Sequence, residues 1–445
     1  MLLAVLGLFQ APGLSALTEG VTYLSAPGAL PGAMVASKGA VTVLAADKPV
    51  AVAGHVGSGR AIAVGHEAYF GAEQLKNPSN ARFLFNSLRW LSGGARPRVG
   101  TIDLPGIRTV HEDTVNVRRE DLATGLLGIN VLAMTQGALD NNPQAQKAVI
   151  DWVKSGHGLL IAGPAWGWSQ LNPDKSLRRD HVGNRMLLPY GLGFSGETVD
   201  GDPKPTADPL FGTNAALTAL RKGESSPRAL GTVSRALALE STTDDELTKE
   251  IRALAAKEGD AWPLTAKTPF RRLQATLDHQ AWETASPESV KADPGTAKFP
   301  GPVDHRAKPV SRTVDIDTRV TQWHATGLYA PPGTVVTVTI VSAATDKGLA
   351  VRIGPHTDEL WHLDKWDRAP AISRSWPLKE RKTKIASPYG GTILIEVPQN
   401  STPANIGITI SGAVPAPHFI RGKTTKGEWA RQLAEPILLW SSFRG

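Results

Sequence analysis

The sequence predicts a protein of mixed α/β and β class, in which a doubly wound α/β domain precedes an antiparallel β-sandwich. Strand-like and helix-like runs alternate between about residues 41 and 194, which is typical of a sheet covered by helices. From Val314 onward the apolar residues repeat with a period of two, which is typical of half-buried strands. The length of 445 residues is enough for about three domains, each with its own core.

The first predicted domain covers residues 21–200. Short β-rich runs occupy residues 41–66, and residues 80–94 have a helical apolar spacing that ends on glycine. Residues 128–136 form a continuous apolar run, as in a buried strand. Residues 142–158 read as a helix with proline in its first turn, and residues 158–163 as the next strand. We therefore predict a mainly parallel sheet of the amidotransferase-like or Rossmann-like kind.

Three further segments follow. Residues 201–309 contain an amphipathic helix (245–262) and a polar, proline-rich stretch, so we predict a small helical insert and a linker. Residues 310–420 contain strands at 333–341, 348–354, 390–398 and 405–414, separated by turn residues, and predict the antiparallel sandwich. Residues 421–445 begin a helix that Thr425 can cap, followed by a strand at 435–440. We expect this to be the truncated start of another domain.

Composition excludes several kinds of site. The chain has no cysteine, which excludes disulfides, thiolate zinc sites and cysteine nucleophiles. The net charge of +7 is spread without a basic block, so we predict no nucleic-acid binding, only weak attraction to acidic partners such as sialylated glycans or a membrane surface. No apolar run is long enough for a transmembrane segment. Residues 1–20 resemble a signal peptide without its basic region, which would imply a secreted or periplasmic protein, or they form the first buried element.

Two glycine-containing motifs are candidates for chemistry. In the cluster at residues 54–67 a strand follows Arg60, whereas a dinucleotide fingerprint opens a helix, so we predict a hairpin turn. Residues 158–168 end a predicted strand where an α/β site usually lies. Acyl transfer is not predicted there, because cysteine is absent and Ser169 has no histidine near it in sequence. For Trp166 and Trp168 we favour loop packing over ligand binding.

The histidines provide no zincin motif. Such a motif places two histidines one helical turn apart, with glutamate after the first. Only His66 and His111 are followed by glutamate, and their fourth-on residues are Phe70 and Val115. We therefore predict no catalytic residue and no metal ligand in this chain.

Residues 352–370 form the densest polar stretch, "RIGPHTDELWHLDKWDRAP". We interpret His356 and Asp358 as hydrogen-bonding residues of a long loop, with Arg368 pairing with a carboxylate inside it. Tryptophan is dense between residues 361 and 376. Two interpretations stay open: the tryptophans form a sugar-stacking surface, or they pin the loop onto the sandwich.

Five ordered motifs carry a family resemblance. They are "YAPPG" (329–333), "IGPHTD" (353–358), "RAP" (368–370), "SPYGG" (387–391) and "SGAVPAPHF" (411–419). In this order they resemble the β-sandwich that opens enhancin-like M-60 peptidases. The upstream segments "VKSGHGLLIAGPAWGW" (153–168) and "GNRMLLPYGLGF" (183–194) are similar to the N-terminal region of vertebrate TRP-channel-associated factors.

The resemblance implies a role without catalysis. In the family a gluzincin domain carrying zinc follows the sandwich and cleaves glycoproteins such as mucins. This sequence ends before such a domain, so whether it acts as an enzyme stays open, and zinc is expected only in the missing domain. We expect substrate positioning or contact with a glycoprotein or glycan, or else a stand-alone binding protein like the channel-associated factors. The expected ligand contacts are Arg352, His356, Asp358, Trp366, Arg368 and Tyr389.

Overall fold

The chain divides into two compact units, residues 1–242 and 243–445. A computed structural model describes residues 13–122, 126–172, 175–240, 246–259, 262–299, 303–341, 347–358, 360 and 363–434. The predicted strand at 435–440 and most of the signal-like segment lie outside these residues. Leu17, in the described part of that segment, is fully buried in the first core.

The first unit is built from ten strands and six helices among its described residues. The strands are β1 (Gly32–Ala36), β2 (Val41–Ala45), β3 (Pro49–Val56), β4 (Gly59–Val64), β5 (Val99–Ile102), β6 (Thr114–Asn116), β7 (Val131–Thr135), β8 (Gly158–Ala162), β9 (Leu192–Thr198) and β10 (Lys204–Pro205). The helices are α1 (Pro78–Leu91), α2 (Pro143–Lys154), α3 (Ala165–Leu171), α4 (Val182–Leu187), α5 (Thr213–Arg221) and α6 (Pro227–Glu240).

Eight of these strands form one mixed sheet in the order β10-β2-β3-β4-β8-β7-β5-β6. The pairs from β4 to β6 are parallel, whereas β10, β2 and β3 are antiparallel. Strands β3 and β4 are joined by a tight turn in which Gly57 has φ 60°. The predicted hairpin at this glycine cluster is therefore confirmed.

Helices cover both faces of the parallel strands. Phe83 and Leu84 of α1 share one core cluster with Ile62. Val149 and Val153 of α2 share the other cluster with Leu159. Because successive strand residues point to opposite faces, strands buried on both sides need continuous apolar runs. The mixed α/β class is confirmed, while the Rossmann-like assignment stays a prediction.

Capping residues set where the two covering helices begin. The Asn77 side chain accepts from the Ser79 amide at 2.8 Å, and Pro78 takes the first helical position of α1. Asn142 and Pro143 do the same for α2, where the Asn142 side chain accepts from the Ala145 amide at 3.0 Å. This asparagine–proline pair satisfies an amide of the first turn and fixes a helical φ.

The second unit combines three helices and ten strands among its described residues. The helices are α7 (Glu246–Glu258), α8 (Pro269–Thr284) and α9 (Lys426–Ala434). The strands are β11 (Leu264–Thr265), β12 (Val310–Asp317), β13 (Gln322–Ala330), β14 (Val336–Ile340), β15 (Ala350–Ile353), β16 (Lys365–Trp366), β17 (Arg374–Pro377), β18 (Lys382–Ile385), β19 (Gly391–Val397) and β20 (Asn405–Pro415).

The strands form a nearly closed antiparallel sandwich. Their order is β17-β15-β19-β13-β20-β14-β18, with β12 also paired to β20. Strand β20 joins the two sheets, because its first part pairs with β12 and β14 and its end pairs with β13. Alternate residues of β19 point inward, among them Ile393 and Ile395, and pack in one core cluster with Val338. The predicted antiparallel sandwich is thus confirmed.

The helices around the predicted insert fall in both units. Helices α5 and α6 lie in the first unit, and α7 and α8 lie in the second. The domain boundaries predicted at residues 200, 309 and 420 stay predictions.

The Trp282 indole of α8 donates to the Ala386 carbonyl at 2.8 Å, which ties this helix to the sandwich. The predicted Thr425 cap of α9 is confirmed, since its hydroxyl accepts from the Glu428 amide at 3.2 Å. Among the described residues, no helix is long and apolar enough to cross a membrane.

Candidate functional site

The six residues predicted to contact ligand lie in three different settings of the second unit. Arg352 lies on the outer face of the sandwich. His356, Asp358 and Arg368 form a cluster inside the loop that follows β15. Trp366 and Tyr389 are buried in contact with the segment that contains α8.

Arg352 is held by a hydrogen-bond network on the outer face. Its neighbours on β15, Val351 and Ile353, point into the core, so strand alternation turns Arg352 outward. The guanidinium donates from Nε to Glu396 Oε1 at 2.5 Å and from Nη1 to Ser373 Oγ at 2.6 Å. Both charged side chains of this pair are about four-fifths buried, with exposed fractions of 18% and 20%. The pair is consequently preorganised on a rigid sheet.

Trp323 completes this surface and was missed by sequence reasoning. It pairs directly with Glu396 across β13 and β19, so both side chains point to the same face. The Arg352 guanidinium lies 5.1 Å from the centre of the indole ring, yet Trp323 remains 49% exposed. Ser375 donates its hydroxyl to the second Glu396 oxygen. We call the surface formed by Trp323, Arg352, Ser375 and Glu396 the indole face.

The loop cluster is bound together mainly by its own charges. Arg368 donates to the Asp358 carboxylate, which confirms the predicted ion pair inside the loop. The His356 Nδ1 lies 3.9 Å from the same carboxylate, and its ring packs edge-on against Phe299. Burial lowers the pKa of His356, and the neighbouring Arg368 lowers it further. A neutral histidine is therefore favoured here.

Trp366 and Tyr389 are structural anchors. Trp366 is 0% exposed, and its indole donates to the Leu360 carbonyl at 2.5 Å. The Arg272 guanidinium of α8 covers the ring at 4.8 Å from its centre. Tyr389 is 3% exposed and packs against Trp282, and this burial raises its pKa. Trp366 offers no face on which a sugar can stack, which corrects that expectation in favour of pinning. Tyr389 is likewise too enclosed for direct contact.

The described residues contain no group of three or more histidine, aspartate or glutamate side chains arranged to hold a metal ion. His362, the second histidine of the loop, lies outside the described residues. Neither Asp358 nor His356 has a third such partner among the described residues, so the cluster is an ion pair of Arg368 and Asp358 with the His356 ring beside it.

A buried histidine of the first unit lies beside the carboxyl end of β7. His181 is 0% exposed, and its Nε2 is 2.9 Å from Gln136 Oε1, which follows β7. Its Nδ1 accepts from the Asn184 amide at 3.2 Å, so the ring caps α4. Burial lowers the pKa of His181 to about 3. The neighbouring Trp168 packs edge-on against this ring, as the packing interpretation predicted.

Comparisons with known families agree with the motifs. Residues 305–411 match the N-terminal domain of M60-like peptidases. Residues 13–209 match the TCAF_N family, described as a TRPM8 N-terminal domain. The chain is 28% identical over 411 residues to TRPM8 channel-associated factor 3 of Rattus norvegicus and 25% identical over 418 residues to TRPM8 channel-associated factor 1 of Homo sapiens. Each alignment covers 87% of this chain and 43% of the relative, so the chain spans less than half of their length.

A solved structure is also similar. The IMPa metallopeptidase from Pseudomonas aeruginosa aligns with a TM-score of 0.44 and 16% identity, covering 95% of this chain and 55% of that one. The predicted resemblance is confirmed: residues 305–411 match the N-terminal domain of M60-like peptidases, and the chain is homologous to the TRPM8 channel-associated factors.

Proposed function

We propose that the sandwich of this chain makes non-catalytic contact with the glycan of a glycoprotein and positions it for an M60-type peptidase. The observation that carries the proposal is the indole face, an exposed tryptophan beside a preorganised arginine–glutamate pair. This face lies within residues 305–411, the part that matches the N-terminal domain of M60-like peptidases.

The chemistry of the indole face suits a sugar. An indole presents a large, rigid apolar surface on which the C–H face of a pyranose can pack. Ser375 and Glu396 supply acceptors and Arg352 supplies donors, and each retains capacity beyond its present bonds. A few fixed polar groups beside an apolar surface are typical of ligand recognition. Ser373 ties this face to the start of the loop after β15, because its hydroxyl accepts from Arg352 and donates to the Gly354 carbonyl.

The proposed role requires no cofactor in this chain. The motif His-Glu-x-x-His does not occur in its sequence, and in the proposal zinc and glycoprotein cleavage belong to a separate gluzincin domain. A secreted or periplasmic location is part of the same proposal. We also propose that the first unit is Rossmann-like, supported by its parallel strands with helices on both faces.

A glycan array tests the proposal with one variant and one matched control. The Trp323→Ala variant removes the indole from the outer face, and Phe419→Ala removes a similarly exposed aromatic ring outside it. We expect the 445-residue chain to bind a subset of O-linked glycans, Trp323→Ala to lose this binding, and Phe419→Ala to keep it. Absence of glycan binding, or equal binding by both variants, contradicts the proposal.

The second candidate is a stand-alone interaction protein of the channel-associated type. It is favoured by one observation: the similarity to TRPM8 channel-associated factor 3 covers 87% of this chain and so includes both units. The test is titration of the chain with purified TRPM8 in detergent. Saturable binding without glycan binding supports this candidate, and absence of channel binding rejects it.

A further inference from the structure

One depression of the first unit is lined by basic side chains. Its cavity volume is about 500 Å³, which lies within the range of small-molecule sites. Leu188 and Pro189 contribute apolar surface to its lining, and none of the described lining residues is acidic. Its cationic residues are Lys38, Arg178, Arg179 and Arg185, and we call the depression the basic pocket.

The backbone that carries Arg185 is fixed by buried hydrogen bonds. Arg185 lies on α4, next to Asn184, which is 1% exposed. The Asn184 side chain accepts from the Phe194 amide at 2.7 Å and donates to the Phe194 carbonyl at 2.9 Å, which ties α4 to β9. It also donates to the Leu177 carbonyl at 2.9 Å, next to Arg178. The buried side-chain amide of Asn184 thus holds both α4, which carries Arg185, and the backbone next to Arg178.

The turn that carries Arg178 and Arg179 is closed by hydrogen bonds between Ser176 and the residues that follow it. The Ser176 amide donates to Asp180 Oδ2 at 2.7 Å, and the Asp180 amide returns a bond to the Ser176 carbonyl at 2.8 Å. The Arg179 amide donates to the Ser176 hydroxyl at 3.4 Å. The Asp180 carboxylate, which follows Arg179 in sequence, thus accepts a hydrogen bond that closes the turn.

Lys38 is placed by a close approach of two backbones. The Ser37 amide donates to the Gly191 carbonyl at 2.9 Å, and a Cβ at Gly191 would lie 1.9 Å from the Ser37 carbonyl oxygen. Only glycine allows this contact. Lys38 itself has φ 48°, a left-handed conformation that directs the chain into the turn before β2. The lysine is held in a strained turn next to the α4 region.

We propose that the basic pocket binds a compact polyanion, a small molecule with phosphate or carboxylate groups carrying at least two negative charges. Guanidinium groups match both oxyanions with paired hydrogen bonds, and lysine adds a point charge. The backbone beside Arg178 and Arg185 is held by the Asn184 hydrogen bonds, and the side chains of Arg179 and Arg185 are exposed and can reach an anion. The volume of about 500 Å³ is of the size that small-molecule ligands occupy. This inference concerns the first unit and does not depend on the proposed role of the sandwich.

Calorimetric titration of the 445-residue chain with sodium pyrophosphate and with citrate tests this site. The variants are Arg179→Ala and Arg185→Ala, and the matched control is Arg89→Ala, an exposed arginine on α1 of the same unit. We expect saturable binding of at least one probe. Each pocket variant should weaken it about tenfold or more, since charge-assisted hydrogen bonds are lost. The control should bind as the unchanged chain does.

The outcomes distinguish specific anion binding in the basic pocket from nonspecific attraction to a positively charged protein. Pyrophosphate binding without citrate binding assigns a phosphate ligand, and the reverse assigns a polycarboxylate. The proposal is overturned if neither probe binds at low ionic strength, or if Arg89→Ala weakens binding as much as the pocket variants. Binding of anionic lipid vesicles or of DNA, without binding of either small probe, also overturns it.

Discussion

Two tryptophans of the second unit show how differently the same residue type is used. Trp366 ends the two-residue strand β16, within the long segment after β15, and is 0% exposed, enclosed by Leu360 and by Arg272 of α8. Trp323 lies on a regular strand and is 49% exposed beside Arg352. The dense tryptophans of the loop drew attention in the sequence, yet the strand tryptophan has the accessible face. Trp366 of the tryptophan-dense segment is an anchor, whereas the register of β13 and β19 leaves Trp323 accessible.

Replacing Trp366 with alanine gives the largest expected effect. A fully buried indole leaves a cavity and loses its hydrogen bond to Leu360, so we expect a loss of about 3–5 kcal/mol in the free energy of unfolding. Urea unfolding of the second unit measures it. A loss under about 1 kcal/mol would contradict the anchoring role of this residue.

The Arg352→Ala variant tests how much the Arg352–Glu396 pair contributes to stability. The Arg352→Ala variant leaves the Glu396 carboxylate without its guanidinium partner, although Ser375 still donates to it. We expect a loss of about 1.5–3 kcal/mol, as for a hydrogen bond between charged groups. The double variant Arg352→Ala/Glu396→Gln should recover part of this loss, because the unpaired charge is then absent. If the double variant is no more stable than the single one, the pair is not the stabilising element.

The buried His181 should make the stability of the first unit depend on pH. The folded pKa of His181, about 3, lies below its ordinary value of 6.5, so the unfolded chain binds a proton first as the pH falls. Stability should therefore decrease from about pH 6.5 toward pH 3, by up to about 1.4 kcal/mol per pH unit. The stability difference between the unchanged chain and His181→Asn should shrink as the pH is lowered. A difference that stays constant from neutral pH to pH 4.5 contradicts a neutral buried histidine.

The smallest expected effect on stability is that of Trp323→Ala. The exposed indole contributes a cation–π contact with Arg352, worth about 0.5–1 kcal/mol. Thermal unfolding of this variant beside Trp366→Ala measures the contrast directly. Similar losses in the two variants would mean that the outer tryptophan is as structural as the loop tryptophan.

Much of the fold could be predicted from local sequence patterns. The alternation of residues 391–397 identified β19, and Pro143 marked the start of α2, whereas the helix ends at Lys154, before the predicted end at residue 158. The start of α1 was placed two residues late, because Pro78 and its Asn77 cap precede the apolar spacing. The antiparallel hairpin β3–β4 and its neighbours made the sheet mixed, and no local signal specifies strand order.

The candidate site was less predictable, because its contacts are distant in sequence. Arg272 covers Trp366 across 94 positions, and no spacing within the loop reveals this contact. Trp323 meets Glu396 only through the register of β13 and β19. The ion pair of Asp358 and Arg368 was predictable, since both residues belong to one loop and have opposite charge. Long-range pairing therefore limited the prediction of the site more than residue chemistry did.

The most direct test of the sandwich account compares Trp323→Ala with His356→Ala in one glycan titration. Both variants are first shown by thermal unfolding to be folded, and the glycan is the strongest binder of the unchanged chain on an O-linked array. We expect Trp323→Ala to lose at least tenfold in affinity, about 1.4 kcal/mol, while His356→Ala binds nearly as the unchanged chain does. Retained binding by Trp323→Ala together with loss of binding by His356→Ala would contradict the account and place the site in the loop.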